Sequence, residues 1–211
     1  MDYYRTPLLT ARETARYLGM PESTLDVWLR RPENGSAPLV HAVTPEQRGW
    51  PRVPFVGIIE AYVLRGLRDL KVPMPEIRAA AGLVRESFGD PYALATRRVA
   101  TDGVTVFARL ADGWVRAKDL QRPIEKVLEQ HLRQIDWASN GTAQRLHLQR
   151  FAGADVIIDP RFGWGSPVLA DSKVRVDDIF QLWKAGETIA AVAEEYELPV
   201  AVVEDVVRQA A

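Results

Sequence analysis

Apolar positions recur with a helical period over residues 10–18 and again over 22–31, the two runs meeting at Gly19-Met20-Pro21. Thr10 followed three residues on by Glu13 predicts a capping box, Gly19 supplies the positive φ that ends a first helix, and Pro21 opens a second. RPENGSAP is dense in turn formers; LVHAV and WPRVPF flank a PEQRG turn and predict two short strands, a hairpin or wing. From about Val56 the period is helical, with Ile58, Ile59, Tyr62, Val63, Gly66, Leu67 and Leu70 on one face. KVPMPEIR breaks that helix, and another follows through about Phe88. GDPY marks a boundary. GVTVFARLADGWVRA alternates around Asp112-Gly113 and predicts a hairpin. RPIEKVLEQHLRQIDW places Ile124, Val127, Leu128, His131, Leu132 and Ile135 on one helical stripe. SNGT predicts a turn, AQRLHLQRF and DVIID predict strands, and the chain is helical from Val176, interrupted at Ala185-Gly186 and Leu198-Pro199.

The first pattern is written twice. Residue 15 aligns with residue 193, an offset of 178, and without gaps Leu18 meets Tyr196, Met20 meets Leu198, Pro21 meets Pro199, Leu25 meets Val203 and Trp28 meets Val206. Two helices crossing steeply need a small residue where they touch, a tight connection a turn later, and apolar residues on the second helix pointing back. Both copies meet these demands and predict helix-turn-helix units. On the first, Glu22, Ser23, Thr24, Asp26, Val27, Arg30 and Arg31 face outward.

Charge separates the copies. Residues 1–90 hold 12 Lys+Arg against 11 Asp+Glu, residues 91–150 hold 10 against 6, and residues 151–211 hold 5 against 11. A helix-turn-helix that reads DNA puts its second helix in the major groove, where Ser and Thr bond several bases and Arg suits guanine or phosphate. Ser23, Thr24, Val27, Arg30 and Arg31, with Arg48 and Arg52 on the wing, are therefore the candidate DNA-binding set. The second copy offers Val200, Ala201, Glu204 and Asp205 behind Glu194, Glu195 and Glu197, a surface that phosphates repel. It is expected to bind protein.

Residues 8–88 resemble the MerR-type winged helix-turn-helix through TARETARYLGMPESTLDVWLR, the short wing and FVGIIEAYVLRGLRDLKVPMPEIRAA. That family's Arg-Tyr-Tyr after the recognition-helix Leu is replaced here by Asp26-Val27-Trp28. Residues 152–210 resemble the small C-terminal domain of VapB-type antitoxins, partners of PIN-domain ribonuclease toxins. Ile158-Asp159-Pro160, Gly165, Pro167 and Gly186 carry the match, and the family's Gly-Thr-Arg stands as Asp171-Ser172-Lys173. Together the resemblances imply an antitoxin that binds its own promoter at one end and masks a toxin nuclease at the other. A PIN-type nuclease holds metal in a carboxylate cluster, so Arg161, Lys173 and Arg175 are candidate toxin-facing cations, joined by Trp164, Trp183 and Glu204. Alternatively the acidic helix mimics RNA in the toxin's basic groove, or the cations merely offset their acidic neighbours.

The expected architecture is mainly α (α+β). Residues 1–90 form a MerR-like winged helix-turn-helix domain, 91–150 a linking β-hairpin and helix with a possible dimerisation role, and 151–211 a small acidic helical domain. A homodimer is expected, because helix-turn-helix proteins usually read two half-sites. The chain has no Cys, which excludes disulfides, thiolate metal sites and cysteine nucleophiles; His41, His131 and His147 lack ligand spacing, and no catalytic constellation or cofactor motif is read. No apolar run approaches the roughly 20 residues a membrane span needs, and the start lacks a signal-peptide layout, so a cytoplasmic protein is expected. Two rival readings stand beside the antitoxin: a MerR-like regulator whose Trp164, Trp183 and Tyr196 line a small-ligand pocket, and an adaptor using both helix-turn-helix units for protein contacts.

Overall fold

Thr10 sets where the first helix starts. Its hydroxyl accepts from the Glu13 N–H at 3.2 Å while its own N–H donates to Glu13 Oε2 at 2.8 Å, the reciprocal cap that the spacing predicts. In the computed structural model, residues 2–32, 37–105, 107, 121–151 and 153–210 are described. They fall into two units, Asp2–Gln144 and Arg145–Ala211.

In the first unit β1 (Pro7–Leu9) leads into α1 (Ala11–Leu18), and Gly19 at φ 63° turns the chain into α2 (Glu22–Leu29). α2 stops short of the expected Arg31. Arg30 is already extended at ψ 135°, and the residue before Pro32 is disfavoured in a helix. Next come β2 (Val53–Pro54), α3 (Phe55–Asp69) and α4 (Met74–Phe88), α4 closed by Gly89 at φ 62°. α3 buries every residue from Phe55 to Leu64, more than the single face its periodicity suggests.

The predicted wing hairpin is not what forms. Leu39 to Pro51 is irregular, and the strand that does form, β2, pairs antiparallel with β1, Leu9 opposite Val53. One backbone bond, Val43 N to Arg52 O at 2.9 Å, links the two halves of the segment. Pro51 and Pro54 lack the N–H groups a ladder requires. The segment is instead held by a side chain of α3: fully buried Glu60 accepts from the His41 N–H at 2.7 Å and faces His41 Nδ1 at 2.8 Å. Arg85 of α4 completes the cluster, donating to Glu60 Oε1 at 2.9 Å and to the carbonyls of Pro38 and Leu39 at 3.0 and 2.9 Å. Gly57 permits this approach, since a Cβ there would stand 2.4 Å from the His41 carbonyl oxygen.

The described residues of 91–144, read from the sequence as part of a linking segment, belong to this first unit. A 3-10 turn at Ala93–Ala95 is buried against α3 and α4. Of the hairpin expected over Gly103–Ala117, Gly103 closes a π-helical turn, and Val104, Thr105 and Phe107 are helical, with Val104 and Phe107 buried at helical spacing. Asp112, Gly113 and the remaining positions lie outside the described residues. α5 (Gln121–Leu132) packs on α3, with Leu128 and Leu132 buried and His131 against Tyr62 and Gly66; Val127 is 44% exposed, and Ile135 belongs to a strand, β3 (Ile135–Trp137), not to the helical stripe. His131 stacks on Tyr62 with ring centroids 3.9 Å apart, and its Nε2 lies 2.7 Å from the Tyr62 carbonyl. The Tyr62 hydroxyl donates back to the His131 carbonyl at 3.0 Å. Burial holds the imidazole below its ordinary pKa and pushes the Tyr62 phenol well up.

A turn at Asn140-Gly141 leads to β4 (Ala143–His147), which carries the chain toward the second unit. There β4 pairs antiparallel with the fully buried β5 (Val156–Ile158), and β5 with β6 (Val168–Leu169). Three helices follow: α6 (Val176–Lys184), α7 (Ile189–Glu195) and α8 (Val200–Ala210). Val176, Ile179, Val192, Val203 and Val206 form their shared core.

Candidate nucleic-acid interface and partner surface

The two turns share one set of backbone bonds. Gly19 N donates to Arg16 O at 3.1 Å and Met20 N to Ala15 O at 2.9 Å; 178 residues on, Glu197 N donates to Glu194 O at 3.2 Å and Leu198 N to Ala193 O at 2.8 Å. Thr188 caps α7 as Thr10 caps α1, its hydroxyl accepting from Ala191 N. Glu197 occupies the left-handed conformation, φ 52°, that glycine provides in the first copy. The inward faces agree as well: Ala15, Leu25 and Trp28 are buried, and so are Ala193, Val203 and Val206. Arg65 of α3 donates to the Leu18 carbonyl and braces the first turn, a contact no local pattern announces.

The outward faces diverge. On α2, Ser23 is exposed, Thr24 half-buried and Val27 47% exposed, with Arg30 and Arg31 exposed just beyond the helix end. Arg48 is exposed on the irregular segment. Arg52 is committed: its Nη2 meets Asp26 Oδ1 at 2.8 Å, tying that segment to the outer face of α2. Asp26 thus receives a cation where the MerR-type sequence carries one, and Trp28 goes into the core.

On α8 the position equivalent to Val27 is Asp205, and it is 1% exposed. The expectation that Asp205 joins an outward acidic surface is corrected here. Gly153 N donates to Asp205 Oδ2 at 2.9 Å and Arg208 to Oδ1 at 2.5 Å, while Arg150 donates to the Gln209 carbonyl. The approach is close: a Cβ on Gly153 would stand 3.1 Å from the Asp205 carboxyl carbon, so the carboxylate would have to shift by a few tenths of an ångström. The segment before β5 therefore covers part of the face that α2 leaves open. Glu204 and Val200 remain exposed, as do Glu194, Glu195 and Glu197.

The cations expected to face a toxin are each engaged. Arg161 grips fully buried Asp159 through Nε at 2.9 Å and Nη2 at 2.6 Å. Burial alone would raise the Asp159 pKa, but hydrogen bonds from the Arg161 side chain and backbone, with the charges of Arg161 and Arg145, hold it below the ordinary value. Arg175 lies 3.6 Å from Asp178, and Lys173 donates to the Ala170 carbonyl and sits over the Phe162 ring. Trp164 is 82% exposed, so it lines no enclosed pocket with Trp183 and Tyr196. Its backbone is left-handed at φ 55°, a conformation that costs a bulky residue about 1–3 kcal/mol. Gly163 beside it packs so closely that a Cβ would meet Val168 at 2.7 Å. Trp183 is half-buried against Phe180, ring centroids 5.6 Å apart. Among the described residues no group of three or more His, Asp or Glu could hold a metal, and no helix is long and apolar enough to cross a membrane.

Residues 7–81 match the family described as "Putative DNA-binding HTH domain", and residues 156–208 match one described as "Protein of unknown function (DUF433)". The chain is 36% identical over 214 residues to a protein of Mycobacterium tuberculosis (strain ATCC 25618 / H37Rv) named "Putative antitoxin VapB45", an alignment spanning 92% of this chain and 89% of the relative. The crystal structure of Rv2018 from Mycobacterium tuberculosis is similar at a TM-score of 0.79 and 32% identity, over 96% of this chain and 98% of that one.

Proposed function

Because the chain belongs to the VapB-type antitoxin family and carries a helix-turn-helix DNA-binding domain, we propose that it neutralises a PIN-domain ribonuclease with its C-terminal unit and represses its own operon with its N-terminal one. In this reading it is a non-enzymatic regulator acting as a homodimer on two half-sites.

One observation carries the division of labour: two turns with matching backbone bonds present opposite surfaces. In the first, Ser23, Thr24 and Val27 stand open beside Arg30 and Arg31, and Arg48 lies on the segment that Arg52 fastens to α2. Groups of these kinds meet base edges and phosphates. In the second, the equivalent face is partly covered by the chain itself, and Glu194, Glu195, Glu197 and Glu204 stand exposed around Val200.

On the C-terminal unit, Trp164 is the interface anchor. An indole left in water on a strained backbone gains most when a partner covers it, and Trp leads the residue types that dominate protein interfaces. Arg161, Lys173 and Arg175 surround its loop, with Trp183 and Glu204 further along the same unit. Co-expression with the product of the adjacent gene, which this reading expects to be that nuclease, should yield a complex that survives purification and rescues growth. Trp164→Ala should weaken capture by about 2 kcal/mol, roughly 30-fold. Failure of the unaltered chain to bind or neutralise that nuclease overturns the toxin assignment. For DNA, Arg30→Ala with Arg31→Ala should weaken promoter binding and flatten its salt dependence; unchanged binding would move the reader elsewhere.

A further inference from the structure

A groove of about 720 Å³ runs between the end of α2 and the outer face of α4. Val27, Arg30 and Arg31 line one side, and Arg78, Ala79 and Gly82 line the other. We infer that this groove is a track for the DNA sugar–phosphate backbone and that Arg78, which no sequence motif marks, is a phosphate contact. The inference rests on the N-terminal unit binding DNA.

Three features support it. Arg30, Arg31 and Arg78 converge on one concavity, and none of the three has an ion-pair partner among the described residues. The fourth arginine on the wall, Arg85, differs: its Nη1 and Nη2 are spent on Glu60 and on the Pro38 and Leu39 carbonyls, so it shapes the floor and leaves the other three to meet a ligand. The α4 wall is also low. Ala79 is exposed, and a Cβ at Gly82 would meet nothing within 4 Å, so an extended chain can lie against the helix without displacing side chains. Finally, the track is continuous with the exposed face of α2 at Val27, where a duplex read by Ser23 and Thr24 would already be in contact. Three converging cations on a shallow floor suit a polyanion without sequence preference; an apolar peptide would leave the guanidiniums desolvated and unpaired.

The test is fluorescence anisotropy of the full chain on its own promoter fragment and on a scrambled duplex, across about 50–200 mM salt. Arg78→Ala should remove one phosphate contact, lowering the slope of log K against log salt by about 0.9 and costing about tenfold near 0.1 M salt, equally on both duplexes. Ala79→Glu, a surface change that puts an anion on the track, should weaken binding at least as much with an unchanged thermal midpoint. Lys184→Ala, in the other unit, should match the unaltered chain. Unchanged affinity and slope in Arg78→Ala overturns the inference, as does a loss confined to the promoter sequence, which would make Arg78 a base reader. Intact DNA binding with lost nuclease capture would assign the groove to a protein and overturn it equally. No binding by the unaltered chain sinks the DNA reading itself, a result separable from the others.

Discussion

Replacing Glu60 by Gln tests what holds the DNA-binding unit together. The Glu60 side chain has no exposure to solvent, and each of its oxygens faces a fixed donor, His41 N at 2.7 Å on Oε2 and Arg85 Nη2 at 2.9 Å on Oε1, with His41 Nδ1 at 2.8 Å beside them. Gln fills the same volume, but its NH₂ must then point at one of those donors. At least one hydrogen bond to a charged group is lost, worth about 1.5–3 kcal/mol, and the Arg85 guanidinium, 13% exposed, loses its counter-charge. Breaking a buried pair this way costs about 3–5 kcal/mol, against a total stability of about 5–15 kcal/mol. For a unit of this size that corresponds to a drop in melting temperature of about 10–20 °C. The assay is thermal unfolding followed by circular dichroism, with Arg85→Met and the double variant completing a cycle. The double variant should cost less than the sum of the singles by more than about 1 kcal/mol, because Met leaves no orphaned charge. A shift below about 3 °C, or strict additivity, would show that the cluster does not anchor the segment after α2.

Three further outcomes follow from packing and titration. Gly66→Ala gains about 1 kcal/mol of helix propensity, yet its Cβ would lie 2.6 Å from the His131 ring, so a net loss of about 1–4 kcal/mol is expected in denaturant unfolding. Burial keeps the folded-state pKa of His131 below the unfolded value, so the unfolded chain takes up the proton first and stability should fall as pH drops below about 6.5. His131→Gln should lose that part of the slope. Asp159 has the depressed pKa of a paired carboxylate, so its contribution is present above the ordinary carboxylate value and lost as pH falls through the folded one; Asp159→Asn should be destabilised at pH 7 and less steep in acid. The two titration outcomes are checked by unfolding free energy against pH, where parallel profiles for variant and parent would refute the assignment; for Gly66→Ala an unchanged unfolding free energy would do so.

What the sequence determined by itself was local. The Thr10 cap, the left-handed exit at Gly19, the restart after Pro21 and the duplicated spacing depend on residues within one or two turns of each other, and the structure forms them as read. The breaks after α3 and α6 and the buried run of β5 were legible for the same reason. The tertiary structure decided what depends on residues far apart in the chain. Whether Leu39 to Phe55 would pair with itself or with Pro7–Leu9 turned on a carboxylate 19 residues beyond His41 and a guanidinium on another helix. Whether Asp205 would face a partner or its own chain turned on a glycine 52 residues earlier. Arg52, read as a DNA contact, and Arg161, read either as a toxin-facing cation or as an offset to acidic neighbours, found acceptors that the charge count could not locate, and Arg78 entered the candidate interface because α4 and the end of α2 line one groove. Caps and turns close rings of a few residues and their signals survive in a linear string; surfaces are made by distant segments, and their composition is fixed only when those segments pack.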